Sequence, residues 1–300
     1  MRQDNIAILE DTLGIIEKGS YETGGRTVKL KLTPAEMKDA VVYLPKDLRE
    51  MEGSYDKGLS HPPVRTGFSC MNMDSFALAR LRTEQFRERL SLPGAKPVLV
   101  LNLTNPVNPG GGVRRGARAQ EEDLCRKSTL LVSLEGGSAA PYYIYNRSLN
   151  TYMGSDAVMI HPQVEIIKDE NGELLPETVI VSVMTCAAPM ITYGLEGMSQ
   201  DEYESMVYGR ITGMLKTAAF CGYEYLILGA FGCGAFHNDA AVVSDLFRDA
   251  VTDLDMCGKG TDELFRRIEF AVLDRSGNQY NYNEFARNFR DYYGEDAEEN

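Results

Sequence analysis

The residues best equipped for chemistry lie in one stretch, NPVNPGGGVRRGARAQEEDLCRKS, Asn105 to Ser128. Three consecutive glycines, Gly110, Gly111 and Gly112, precede Gln120, Glu121 and Glu122 by seven intervening residues. Glycines admit positive φ and let a ligand approach backbone amides closely, as a phosphate or ribose cradle requires; a tight turn would use the same residues. The two carboxylates could serve as acid, base or nucleophile. Side chains one apart on a helix diverge, so the pair is not expected to face a bond from two sides as in a retaining glycosidase, and at most one should reach a given bond. Acidic residues also suit the first turn of a helix for dipole reasons alone.

A second glycine loop, LGAFGCGAFHND, Leu228 to Asp239, carries Gly229, Gly232 and Gly234 and leads toward a helix, whose amino terminus attracts anions. Neither loop completes a dinucleotide fingerprint or a phosphate-loop motif. Cys233 stands near a helix start, where thiolate is favoured, but also suits the loop simply as a small residue. Phe236 can pack against a sugar or belong to the core. Arg114, Arg115 and Arg118 could touch phosphate or simply be solvated. His61, His161 and His237 are scattered and no serine sits in a GxSxG elbow, so metal hydrolysis and serine catalysis have little support.

The elements that must hold these residues follow from periodicity. Residues 2–18 read as an amphipathic helix with Ile6, Leu9, Leu13 and Ile16 on one face, and 41–45 as a short strand. Residues 46–70 read as an irregular connection, and a helix follows along MDSFALARLRTEQFRERL. KPVLVLNLTN at 96–105 suits a strand buried on both faces, its carboxyl end meeting the first glycines. After a helix through Leu134, PYYIYN, AVMIHPQVEII, TVIVSVMTCA, YLILGAFGCG and RIEFAVLD read as strands, with helices at SQDEYESMVYGRITGMLKTAAFCG and DAAVVSDLFRDAVTDLD. This alternation predicts a three-layer α/β domain with a largely parallel or mixed sheet, binding its ligand beyond the carboxyl ends of the strands.

Composition narrows the partners. Acidic residues outnumber basic ones 44 to 31, so the surface should repel nucleic acid and anionic membrane, and a polyanionic ligand would need a locally basic or amide-lined pocket. The six cysteines show no metal-finger spacing, which favours reduced thiols in an intracellular, cytoplasmic protein. The amino terminus has no signal-peptide pattern, and no apolar run reaches membrane-spanning length.

Taken together, GGGVRRGARAQEE resembles the signature of poly(ADP-ribose) glycohydrolases of the short bacterial type, built on a macrodomain. The resemblance continues through VLVLNLTNPVNPGGG, MIHPQVEIIKDENGELL with VSVMTCAAP, and LGAFGCGAFHND, covering about residues 20 to 275. It implies a three-layer α/β/α macrodomain with a mixed sheet: an N-terminal helical extension over 1–95, a catalytic core over 96–292 and an acidic tail over 293–300. It further implies release of ADP-ribose from poly(ADP-ribose) or ADP-ribosylated protein without metal or cofactor, while the acidic charge balance leads us to expect no direct DNA or membrane binding.

By the same resemblance Glu122 is the acid and base, and Glu121 orients the ribose beside Gln120. Gly110 to Gly112 lie along the distal ribose and diphosphate, as does Asn105 or Asn108. Gly232, Cys233, Gly234, Ala235 and Phe236 wrap the diphosphate from the other side. Burial near the diphosphate should raise a glutamate's pKa toward acid catalysis. His237 and Met190 depart from the family pattern, leaving open a polymer, a mono-ADP-ribosylated protein or a free ADP-ribose derivative as substrate. A non-catalytic ADP-ribose reader would keep the glycine loops without needing the glutamates.

Overall fold

A computed structural model of the chain describes residues 2–56 and 60–290. Its strands are β1 (Ser20–Thr23), β2 (Arg26–Lys29), β3 (Val41–Tyr43), β4 (Gly67–Met71), β5 (Leu99–Leu103), β6 (Val158–Lys168), β7 (Leu174–Cys186), β8 (Tyr225–Leu228) and β9 (Arg267–Ala271). Its helices are α1 (Arg2–Lys18), α2 (Pro45–Glu50), α3 (Ser75–Gln85), α4 (Arg87–Leu90), α5 (Gln120–Lys127), α6 (Leu130–Leu134), α7 (Ala140–Leu149), α8 (Gln200–Phe220), α9 (Ala240–Thr252), α10 (Thr261–Leu264) and α11 (Tyr280–Phe289).

β1 and β2 form a small antiparallel ribbon, and the other strands form one sheet in the order β3-β6-β7-β5-β8-β9-β4. The run β7-β5-β8-β9-β4 is parallel, while β6 is antiparallel to both β7 and β3, giving the expected mixed sheet. Side-chain alternation along the central strand explains the three layers. Val98 and Val100 pack with Leu9, Leu78, Leu124 and Tyr142 on one face, whereas Leu99 and Leu101 pack with Ile211, Phe247 and Phe285 on the other. A strand covered on both faces must be apolar at successive positions, as this one is.

Three expectations are revised. PYYIYN is not a strand but the body of α7. Its aromatic run favours a strand by propensity, but a proline in the first turn and Asn150 in the left-handed region (φ 50°) bracket a helix whose buried face is Tyr142, Tyr143 and Asn146. The connection 46–70 begins within α2 and ends in β4, the parallel edge partner of β9. The boundary at residue 95 therefore runs through a single sheet, because β3 and β4 at its two edges both come from the first 95 residues. The acidic tail 293–300 lies outside the described residues.

α1 packs directly on the segment that leads into α5. Thr12 Oγ1 donates to the Arg126 carbonyl at 2.6 Å, and Asn5 Nδ2 to the Gly116 carbonyl at 3.1 Å. Gly116 (φ +73°) has no room for a side chain, since an added Cβ would lie 2.6 Å from the Arg2 carbonyl oxygen. No helix among the described residues is long and apolar enough to cross a membrane.

Candidate active site

The chain leaves β5 at Leu103 and returns as α5, and three consecutive side chains at the start of that helix grip the segment between. Gln120 Oε1 accepts from the Leu103 N–H at 2.8 Å, and its Nε2 donates to the Leu101 carbonyl at 2.7 Å and to Ser75 Oγ at 3.2 Å. Its amide thus completes the end of β5. Glu121 Oε1 accepts from Thr104 Oγ1 at 2.6 Å, and Oε2 from the Asn105 N–H at 2.7 Å. Glu122 Oε1 accepts from the Gly112 N–H at 2.8 Å, whereas Oε2 is buried with no hydrogen-bond partner among the described residues.

Both carboxylates converge on one glycine. A Cβ placed on Gly111 (φ +56°) would lie 2.5 Å from Glu122 Oε1 and 3.1 Å from Glu121 Oε2. The expected divergence therefore fails at the carboxyl groups: the glycine loop wraps across the helix start, and two flexible side chains reach it from adjacent positions. Gly110 (φ +66°) is closed by Leu131, 2.6 Å from its added Cβ, and Gly112 by Ala117 at 2.8 Å. Asn105 shapes the approach to the triplet, its Oδ1 accepting from the Val107 and Asn108 N–H groups at 3.0 and 2.9 Å. Asn108 is exposed, and its carbonyl accepts from the Gly111 N–H.

Burial pushes the Glu121 carboxyl up to about 8, against the hydrogen bonds from Thr104 and Asn105 that favour its charged form. The charge of Glu122 adds to the upward shift. At neutral pH Glu121 is accordingly able to donate as well as accept.

The second loop is fixed by a residue that sequence reasoning did not single out. Asn238 Nδ2 donates to the Pro189 carbonyl at 2.8 Å and the Gly232 carbonyl at 3.0 Å, while its Oδ1 accepts from Tyr203 at 2.6 Å. Gly232 (φ +76°) is closed by Ala188 and Asn238, whereas Gly234 faces open space. A polar residue ending the quoted glycine loop was the available signal. Cys233 is buried, and burial pushes its thiol well above the usual range, which opposes a nucleophilic role.

A cleft of about 550 Å³ opens beyond the carboxyl ends of β5, β7, β8 and β9, as the sheet topology requires. Gln120, Gly232, Gly234, Ala235 and Phe236 line it, as does Thr104, the donor to Glu121. The glycine triplet, Glu121, Glu122, Asn105, Asn108 and Cys233 are not among its lining residues. Arg118 lines the cleft, while Arg114 pairs away from it with Glu135 at 2.8 Å. One wall also carries Asp74, Asp123 and Lys127, which the sequence did not mark: Lys127 Nζ donates to Asp74 at 3.2 Å and to Asp123. Burial acts to raise the Asp74 carboxyl, but the lysine and the Ala77 N–H outweigh it and hold it below the usual range. Among the described residues no group of three or more His, Cys, Asp or Glu is arranged to hold a metal ion.

The chain resembles known proteins in sequence and in fold. The family model of the microbial-type PARG catalytic domain matches residues 9–169. Crystal structures of poly(ADP-ribose) glycohydrolase from Thermomonospora curvata superpose with TM-scores of 0.83 and, bound to the inhibitor ADP-HPD, 0.81, at 29% identity over 96% of this chain and 100% of theirs. The enzyme from Deinococcus radiodurans in complex with ADP-ribose gives a TM-score of 0.73 at 30% identity over 87% of this chain and 98% of that one. No curated protein matches the chain in sequence. With more than half of its residues under the family model, and with near-complete coverage of solved enzymes, the chain belongs to the microbial-type poly(ADP-ribose) glycohydrolase family.

Proposed function

We propose that the chain hydrolyses the ribose–ribose O-glycosidic bond of poly(ADP-ribose) and releases ADP-ribose, with Glu122 as the acid and base. The observation that carries the assignment is the state of the Glu122 carboxyl: Oε1 is pinned by the Gly112 N–H, and Oε2 is buried and unpartnered. That second oxygen is the one left to meet a substrate oxygen.

In the first half of the reaction the Glu122 proton passes to the departing ribose oxygen as the anomeric C–O bond breaks and positive charge develops at the anomeric carbon. In the second half water attacks that carbon and gives its proton to the same carboxylate, so one group acts twice and is restored. Glu121, able to donate or accept, orients a ribose hydroxyl. The main-chain amides of Gly110 to Gly112 and the loop from Gly232 to Phe236 supply close approach to the ribose and diphosphate. An acidic protein of net charge −13 needs such neutral donors to hold a polyanion.

The test is ADP-ribose release from poly(ADP-ribose) by wild type and Glu122→Gln. The amide oxygen can still accept from Gly112, so ADP-ribose binding by calorimetry should persist while turnover falls by about 10²–10⁴-fold. Turnover that survives the substitution would overturn the assignment, and binding without turnover in wild type would favour a reader of ADP-ribose.

A further inference from the structure

On the rim joining the two glycine loops stand Tyr152 and Tyr193, their ring centroids 5.1 Å apart and their planes inclined at 53°. They are 53% and 72% exposed, and theirs is the one aromatic pair among the described residues in which both rings are exposed. Such rings offer π faces to a flat, apolar ligand.

Both tyrosines are fastened to the site by backbone. The Met190 N–H donates to the Tyr152 carbonyl at 3.0 Å, and the next N–H, that of Ile191, donates to the carbonyl of Phe236 in the second loop at 3.0 Å. Tyr193 follows two residues later. Toward the first loop, a Cβ added to Gly154 would lie 3.7 Å from the Cβ of Pro106, the neighbour of the Asn105 whose N–H donates to Glu121. Arg147 donates from Nε and Nη2 to the Val107 carbonyl at 3.0 and 2.7 Å, which brings an exposed guanidinium to the same rim. Glu196 fixes the platform: its carboxylate accepts from the Tyr152 N–H at 3.0 Å and from Thr151 Oγ1 at 2.6 Å. Its own backbone is left-handed (φ 51°), a conformation that a residue other than glycine keeps only where its surroundings hold it.

Sheet order separates this platform from the cleft. The cleft is lined chiefly by residues that follow β8, β9 and β4 and by the start of α5, and by none of residues 147–154 or 190–196. Tyr152 precedes β6 and Tyr193 follows β7, whereas β5 stands between β7 and β8. The segment leaving β5, with the glycine triplet and the two glutamates, therefore lies between cleft and platform. A poly(ADP-ribose) chain meets such a site in two parts. The unit to be released contributes the anomeric carbon, and the oxygen that departs from it belongs to the adenosine ribose of the neighbouring unit, so a second adenine lies one sugar from the cut bond. The cleft holds the first part. Paired rings and a guanidinium match the second, because bases stack on aromatic faces and phosphates attract arginine.

We propose that Tyr152 and Tyr193 form a stacking subsite for the adenine of the departing unit, which makes the polymer a better substrate than a singly ADP-ribosylated protein. The inference rests on the proposed hydrolysis of a ribose–ribose bond.

The test is the double variant Tyr152→Ala/Tyr193→Ala in the full chain, with Tyr152→Phe/Tyr193→Phe beside it. Alanine should raise KM for poly(ADP-ribose) about tenfold with kcat within about twofold, as loss of uniform binding requires, and phenylalanine should restore it. Calorimetry in a Glu122→Gln background should show the ADP-ribose dimer bound about tenfold more tightly than ADP-ribose. Alanine should erase that advantage and leave ADP-ribose itself unaffected, since ADP-ribose ends at the ribose that would be cut. A dimer bound no more tightly than ADP-ribose, a dimer affinity indifferent to alanine, or equal losses for both ligands would overturn the proposal. Wild type that releases no ADP-ribose would instead defeat the proposed function, and the two affinities would still decide the subsite.

Discussion

In the first glycine loop the space that side chains would fill is already taken by the protein: Leu131 stands against Gly110, both glutamates against Gly111 and Ala117 against Gly112. In the second loop Gly232 is closed in the same way by Ala188 and Asn238, but Gly234 looks into the cleft with nothing near its missing Cβ. In the first loop Gly111 lets acidic side chains approach the backbone, whereas in the second Gly234 leaves the backbone open to the cleft. Two runs that look alike in sequence thus answer to different neighbours.

The comparison breaks most visibly at Gly111. Gly111→Ala would strain a left-handed backbone and drive a methyl group into both carboxylates, so ADP-ribose release should fall by about 10²-fold or more. Near-normal turnover in that variant would mean the glutamates do not work where they stand.

Charge inside the first loop gives the next effect. Glu121 has a folded pKa of about 8 against an ordinary value of 4.5, so its contribution to stability is complete below about pH 4.5 and lost as pH rises through 8. Glu121→Gln should abolish that decline and gain on wild type between pH 5 and pH 8, by on the order of a few kcal/mol at most in denaturant unfolding. Equal pH slopes for the two proteins would contradict the raised pKa.

Smaller effects sharpen the second loop. Gly234→Ala should leave the unfolding midpoint within about 0.5 kcal/mol of wild type yet raise KM for poly(ADP-ribose) several-fold, because the methyl group meets no protein atom and projects into the cleft. A destabilised variant would show that this glycine, too, is constrained by protein. Smallest of all, Cys233→Ala should keep kcat within about twofold, since a buried, strongly protonated thiol has no nucleophilic part to lose.

Much of this was legible in the sequence where local pattern and tertiary demand coincide. The apolar run at β5, the glycine spacings and the α8 and α9 periodicities gave both loops their places at strand ends. α7 was misread because Tyr142, Tyr143 and Tyr145 favour strands by type, while the proline and Asn150 that mark its ends are weaker signals. β4 was hidden because GFSCM becomes a strand only through pairing with β9, nearly two hundred residues away. The site divides similarly. The glutamates and glycines announced themselves by spacing, but the engagement of Gln120 with β5, the grip of Asn238 on Gly232 and the convergence of two adjacent carboxylates are long-range facts that no local pattern encodes.

The support of the first glycine loop by the first helix has a practical consequence. Arg2 blocks the side-chain space of Gly116, and Asn5 and Thr12 bond the residues that lead into and out of the two glutamates. If the two glutamates act where they stand, whatever is joined to that helix or pulls on it, whether a fused domain, a surface tether or a label, should alter the rate. A form lacking residues 2–18 would not be a smaller version of the same catalyst but one whose hinge pin has been drawn.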